Sequence, residues 1–240
     1  MSVIDLKKKS SIILEKKGLK KPPPCRIGLA LDVSGSMRDE YEGGLVQNTV
    51  DRMLAYASHF DDNGEMEVWT FDHRASEAPV VSLADHADYV QKSIVNNSSI
   101  AKWGVTEYGD VCRMMIDFYF KGKRKKSFGT ALMGLFGKKK AEPPPDMTSP
   151  TMILFITDGE NEDPAKALKV FEESQQYNVY WQLVGVSNDS QFKFIKMVAE
   201  KFDHAGFVHL PNLKINDEQM YDALITDEVV SWLKRNQLPV

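Results

Sequence analysis

Apolar and polar positions alternate between two periods along the chain, and the switches between them predict the elements. An unbroken apolar run at residues 27–31 reads as a strand buried on both faces. Leu45, Val46, Thr49, Val50, Met53, Leu54, Ala57 and Phe60 then recur at helical spacing, and Asp61, Asp62, Asn63 and Gly64 supply a stop. Residues 65–71 predict a strand, residues 79–82 a short extended piece, and residues 85–95 and 108–120 helices. A second apolar run predicts a strand at 151–157. It is followed by a helix at 164–177, whose proline falls where a first helical turn tolerates it, and a strand at 179–186. A helix at 192–202, a short strand at 206–210 and a closing helix at 217–235 complete the pattern. In the closing helix Met220, Tyr221, Leu224, Ile225, Val229 and Trp232 face inward.

Strands alternating with helices predict an α/β fold, a mostly parallel sheet with helices on both faces. Sheets of this kind gather ligands at the carboxyl ends of their strands, where strand order reverses. Two apolar runs end in polar clusters there. The first runs into Asp32, Val33, Ser34, Gly35 and Ser36, the second into Asp158, Gly159, Glu160 and Asn161. A carboxylate and two hydroxyls at alternate positions of a sharply turning loop can aim three oxygens at one point. Trp103, Gly104, Val105 and Thr106 put a further hydroxyl just before a helical stretch. Asp, Ser and Gly also furnish ordinary turns, but three polar loops at element junctions favour an oxygen-only site for a hard divalent cation. The candidate ligands are Asp32, Ser34, Ser36, Thr106 and Asp158.

Composition bounds the alternatives. The 240 residues suit one domain with attachments, and 42% hydrophobic with 27% charged residues is ordinary for a globular chain. No apolar run approaches the roughly 18 residues of a membrane helix, and the Lys-rich start lacks the pattern of a secretory signal. Cys25 and Cys112 form no metal-spaced cluster, so a reduced cytoplasm is the expected location.

Charge is uneven. Residues 121–140 carry eight basic and no acidic side chains, leaving a net of −12 on the remaining 220 residues. Residues 121–150, with three consecutive prolines at 143–145, read as a basic, flexible insertion in a domain spanning 25–240. Residues 1–24 read as a Lys-rich arm with a Pro spacer. Residues 131–136 offer an apolar patch within the insertion, although a solvated loop is the plainer expectation.

Asp39, Glu40, Glu42, Glu160, Glu162 and Asp163 suit helix starts, with a cation-enriching rim as the alternative. Histidines 59, 73, 86, 204 and 209 show no paired ligand spacing. A Mg²⁺-dependent phosphohydrolase is a competing class, since it also sets an Asp at the end of a first strand. It needs a second carboxylate where this chain has Ser34, and neither a G-x-x-x-x-G-K-[ST] loop nor G-x-S-x-G occurs. The chain is therefore expected not to be an enzyme. Nucleic-acid binding through the basic insertion is opposed by the acidic body.

Asp32-x-Ser34-x-Ser36, Thr106 and Asp158 resemble the three motifs of a von Willebrand factor A domain with a metal-ion-dependent adhesion site. Segments 26–37, 60–72, 103–108, 155–161 and 181–185 resemble the bacterial tellurite-resistance, TerF-like branch. Val105 departs from it, standing where a second glycine is usual and stiffening the loop. The resemblance implies a doubly wound, Rossmann-like sheet of six strands in the order 3-2-1-4-5-6, which sets the strands ending in Asp32 and Asp158 side by side. It further implies Ser34 and Ser36 as direct ligands, Thr106 as the conformation-sensitive ligand, and Asp32 and Asp158 as charges acting directly or through water. The ion would be Mg²⁺, with Mn²⁺ or Ca²⁺ as substitutes. An acidic residue of a protein partner, among other tellurite-resistance or stress-response proteins, would complete its coordination.

Overall fold

The computed structural model describes residues 2–61, 63–122, 148–188 and 190–236. Seven strands form one sheet: β1 (Arg26–Asp32), β2 (Glu65–Phe71), β3 (Ala75–Glu77), β4 (Val81–Ser82), β5 (Thr151–Thr157), β6 (Val179–Val186) and β7 (Ala205–Leu210). Their order is β3-β2-β1-β5-β6-β7, with β4 also on β2. The five strands from β2 to β7 on that path run parallel, while β3 and β4 pair with β2 antiparallel. β1 and β5, the two uninterrupted apolar runs, are central neighbours, and their register sets Leu31 beside Ile156. The expected order and the adjacency of the strands ending at Asp32 and Asp158 are both observed.

The strand period explains the two layers. Ile27, Leu29 and Leu31 point into one core with α3 (Leu45–Ala57), α7 (Asp217–Leu224) and α8 (Asp227–Arg235). Ala30 and the alternate residues of β2, β5 and β6 face the other core, packed by α4 (Gly109–Lys121), α5 (Pro164–Ser174) and α6 (Lys193–Lys201). A short 3₁₀ turn (Gly35–Met37) leads into α2 (Arg38–Glu42) just after the first motif.

The Lys-rich start differs from an arm. Val3–Lys16 is a helix, α1, capped by Ser2, whose hydroxyl accepts the Asp5 N–H. Val3, Leu6, Ile13 and Leu14 are buried against the body, Lys7 reaches the Ser58 carbonyl at 2.9 Å, and Lys8 faces outward. Lys9 and Arg52 of α3 both bond the carboxylate of Asp217 at the start of α7, at 2.7 and 2.8 Å. The basic segment 123–147, including its apolar patch, lies outside the described residues.

Two predicted helices are corrected. Residues 85–95 form a turn followed by a six-residue π-helix, Val90–Val95, because Asp88 takes a left-handed φ of 56° and interrupts the helical path. The closing helix is two. Ile225 leaves helical geometry, and the Thr226 hydroxyl accepts the Val229 N–H to start α8 afresh.

Candidate metal centre at the ends of β1 and β5

The parallel register carries Asp32 and Thr157 to the same edge of the sheet. Asp32 is fully buried and both its oxygens are engaged: Oδ1 accepts the Ser34 N–H at 2.7 Å and Oδ2 accepts the Thr157 hydroxyl at 2.5 Å. The Tyr41 hydroxyl donates to its backbone carbonyl at 3.0 Å. These bonds fix the loop so that the Ser34 and Ser36 hydroxyl oxygens lie 3.1 Å apart, and Ser36 donates to Asp158 Oδ1 at 2.7 Å.

Thr106 arrives from the third loop. A Cβ added to Gly159 would fall 2.9 Å from its Oγ1, so the glycine after Asp158 leaves the threonine hydroxyl room against this loop. The Glu162 N–H donates to the Thr106 carbonyl at 2.9 Å. Four predicted residues, Asp32, Ser34, Ser36 and Asp158, are thus joined through hydrogen bonds, and Thr106 flanks the last of them. Among the described residues, no three His, Cys, Asp or Glu side chains gather as a metal cluster. Here hydroxyls supply three of the five donors, and the set consists wholly of hard oxygens, the chemistry that Mg²⁺, Mn²⁺ or Ca²⁺ takes.

Burial pushes the Asp32 carboxyl up to about 7, against the pull of its bonds from Ser34 and Thr157 and with help from the Asp158 charge. Burial likewise raises Asp158, opposed by the Ser36 hydroxyl and reinforced by Glu40. A fully buried acid and a half-buried one therefore stand close together at this edge. A nearby cation is the kind of charge that relieves such crowding.

The surrounding acids divide. Glu160 accepts the Lys193 N–H at the start of α6, at 3.0 and 3.2 Å, and Asp163 accepts the N–H groups of Tyr108 and Gly109 at the start of α4. These two are helix-start charges, although each serves a helix far from it in sequence. Asp39 and Glu42 are exposed at α2, where Glu42 pairs with Arg38 at 3.2 Å.

Several supporting residues went unread in the sequence. Thr157 holds Asp32, and Tyr108 donates to the Gly159 carbonyl at 2.8 Å while its hydroxyl lies 3.2 Å from that of Thr157. The readable signal for Thr157 was its place as the last residue of an apolar run neighbouring β1. Tyr108 left none, and Asp163 was legible as a helix-start acid but not as one that serves α4.

The fold is that of a von Willebrand factor A domain. A family model for the domain described as "vWA found in TerF C terminus" matches residues 24–136 and 137–238, and the chain belongs to this vWA-TerF-like family. Domains of this class are generally interaction modules. The uncharacterized protein YcbR of Bacillus subtilis strain 168 is 36% identical over 240 residues, covering 98% of this chain and 88% of that protein. Among solved structures, proximal thread matrix protein 1 from the mussel byssus superposes with a TM-score of 0.58 at 14% identity, over 85% of this chain and 48% of that one. The chain thus spans about half the length of the mussel protein. The SpRpn10 VWA domain gives 0.51 at 11% identity, over 82% of this chain and 93% of that one. At these identities the two structures bear on the fold alone.

Proposed function

We propose that this chain is a divalent-cation-dependent protein–protein interaction module of a cytoplasmic stress-response or tellurite-resistance system. Asp32, Ser34, Ser36, Thr106 and Asp158 would hold Mg²⁺, with Mn²⁺ or Ca²⁺ able to substitute. When bound, the ion supplies an electrophilic point that an acidic side chain of a protein partner can occupy. The observation that carries the reading is the Ser36–Asp158 hydrogen bond, which joins donors from two loops across adjacent strand ends. With Ser34, Ser36 and Thr106 as direct ligands and Asp32 and Asp158 acting through water, little formal charge would fall directly on the ion and its attraction for a further carboxylate would be preserved. The Asp32 carboxylate orients Ser34 through its backbone N–H, and the Ser34 hydroxyl lies 3.1 Å from that of Ser36. Membership of the TerF-like family supports the cellular setting, and burial of both free cysteines is compatible with a reducing compartment. Among the described residues no helix is long and apolar enough to cross a membrane.

The test is capture of partners from native cytoplasm with Mg²⁺ and with chelator, alongside calorimetric titration of Mg²⁺. Capture that needs the ion and is lost in Asp32→Ala is expected. Capture that ignores the chelator overturns the proposal.

A further inference from the structure

We infer that Asp72 is a positioning residue for this site, setting the loop that carries Thr106 from the end of β2. Its functional consequence rests on the cation reading above, whereas its mechanical part rests on hydrogen bonds alone.

Asp72 directly follows Phe71, which is in register with Asp32, so β2 delivers a second strand-end aspartate to the same edge of the sheet. Its side chain is fully buried. A carboxylate withdrawn from water costs several kcal/mol unless its oxygens are bonded, so the bonds it makes indicate what it serves. Oδ1 accepts the Arg74 N–H at 2.8 Å, with the His73 ring nitrogen 3.4 Å away. That much is a local turn device, which any strand-end Asp can supply. Oδ2 instead reaches a residue 32 positions on and accepts the Gly104 N–H at 3.1 Å. The Asp72 carbonyl accepts the Glu107 N–H at 3.1 Å. One residue therefore pins the loop on both sides of Thr106.

The opposite side of the loop is tied to the first motif. Trp103 donates its N–H to the Val33 carbonyl at 2.6 Å, and Gly35 donates to the Gly104 carbonyl at 3.0 Å. Trp103 sits at φ 70°, a left-handed conformation that a bulky residue adopts only when its surroundings over-determine it. Its ring meets Tyr41 edge-on at 5.5 Å and lies under Arg38, also at 5.5 Å. Contact with β2 is equally close. A Cβ on Gly104 would run into the His73 ring and sit 2.9 Å from Asp72 Oδ2. Asp72 is thus the β2-side anchor of a loop in which Trp103 is held in a left-handed conformation.

The experiment uses the full chain and two readouts. Amide exchange at Gly104, followed by NMR, reads the loop without any metal, and Mn²⁺ titration reads the site. Asp72→Ala is compared with Asp72→Asn, which keeps one side-chain acceptor, and with Val198→Ala, a buried α6 control for general loss of stability. Asp72→Ala is expected to speed Gly104 exchange and to weaken Mn²⁺ binding, each at least about tenfold beyond the control, with Asp72→Asn between. Should Asp72→Ala fail to fold, Gly104→Ala, which pushes the loop off β2, carries the same expectation for Mn²⁺. Exchange no faster than in the control overturns the inference. A loosened loop with unchanged Mn²⁺ affinity overturns it too, and leaves the cation reading standing. Failure of the unmutated protein to bind Mn²⁺ sinks the cation reading, while faster exchange in Asp72→Ala still supports the anchoring of the loop.

Discussion

Ser36 and Asp158 are 122 positions apart in the chain and share a 2.7 Å hydrogen bond at the edge of the sheet. The bond exists because β1 and β5 are parallel neighbours in register, so the loops leaving them start side by side. Neither residue fills the core.

Removing either side chain is accordingly expected to cost function far more than stability. Ser36→Ala and Asp158→Asn should each weaken Mg²⁺ binding at least about tenfold, or about 1.4 kcal/mol. Their melting temperatures should stay within about 4 °C of the parent, as suits a change of about 1 kcal/mol in a domain of this size. Calorimetry and circular dichroism measure the two effects. Unchanged affinity would remove the altered residue from the ligand set.

Burial gives Asp32 a pH signature. Its carboxyl sits near 7 in the folded, metal-free protein against an ordinary 3.8. Between those values the native state holds a proton that the unfolded chain has released, so this group's effect on stability turns unfavourable as pH rises through that window. Asp32→Asn removes the titration. In chelator, the melting temperature of the parent relative to Asp32→Asn should fall between about pH 4 and pH 7, and Mg²⁺ should shrink that fall. A flat difference across the window would contradict the buried, crowded carboxylate.

The docking of α1 predicts a graded response. Burial opposes ionisation of Asp217, but bonds from Lys9 and Arg52 outweigh it and hold the carboxyl below its ordinary value. Its stabilisation is therefore present above the ordinary carboxylate range and lost as pH falls through the lower folded value. Asp217→Ala leaves Arg52, whose side chain is 11% exposed, without its charge partner and should cost roughly 3 kcal/mol. Lys9→Ala removes a group 32% exposed and should cost roughly 1 kcal/mol or less. Urea unfolding separates the two, and equal losses would mean that the ranking by burial is wrong.

Much of the fold could be read in the chain because its central strands are buried on both faces. Residues 27–31 and 152–156 are apolar without a break, a pattern a surface element cannot sustain, and their polar ends flag the edge where Asp32 and Asp158 emerge. Helix α1 was hidden by its own outer side. Lys7, Lys8 and Lys9 dominate the composition, while the inward stripe of Val3, Leu6, Ile13 and Leu14 includes a serine at position 10 that is buried against His59. The break at Ile225 was masked by apolar spacing that continues across it, with Thr226, Asp227 and Glu228 as the overlooked start signal. Thr157 and Asp72, and the choice of α4 as the helix that Asp163 serves, were opaque for a different reason. Each acts on a residue that only strand register or loop packing brings near, and a linear string carries no such distance.

Two main-chain rungs, Trp103 to Val33 and Gly35 to Gly104, stitch the Thr106 segment to the first motif. Backbone atoms make them, so they survive a change of lettering in the side chains around them. Val105, at 58% exposure, can accordingly change its side chain while both rungs keep the backbone of the segment in place.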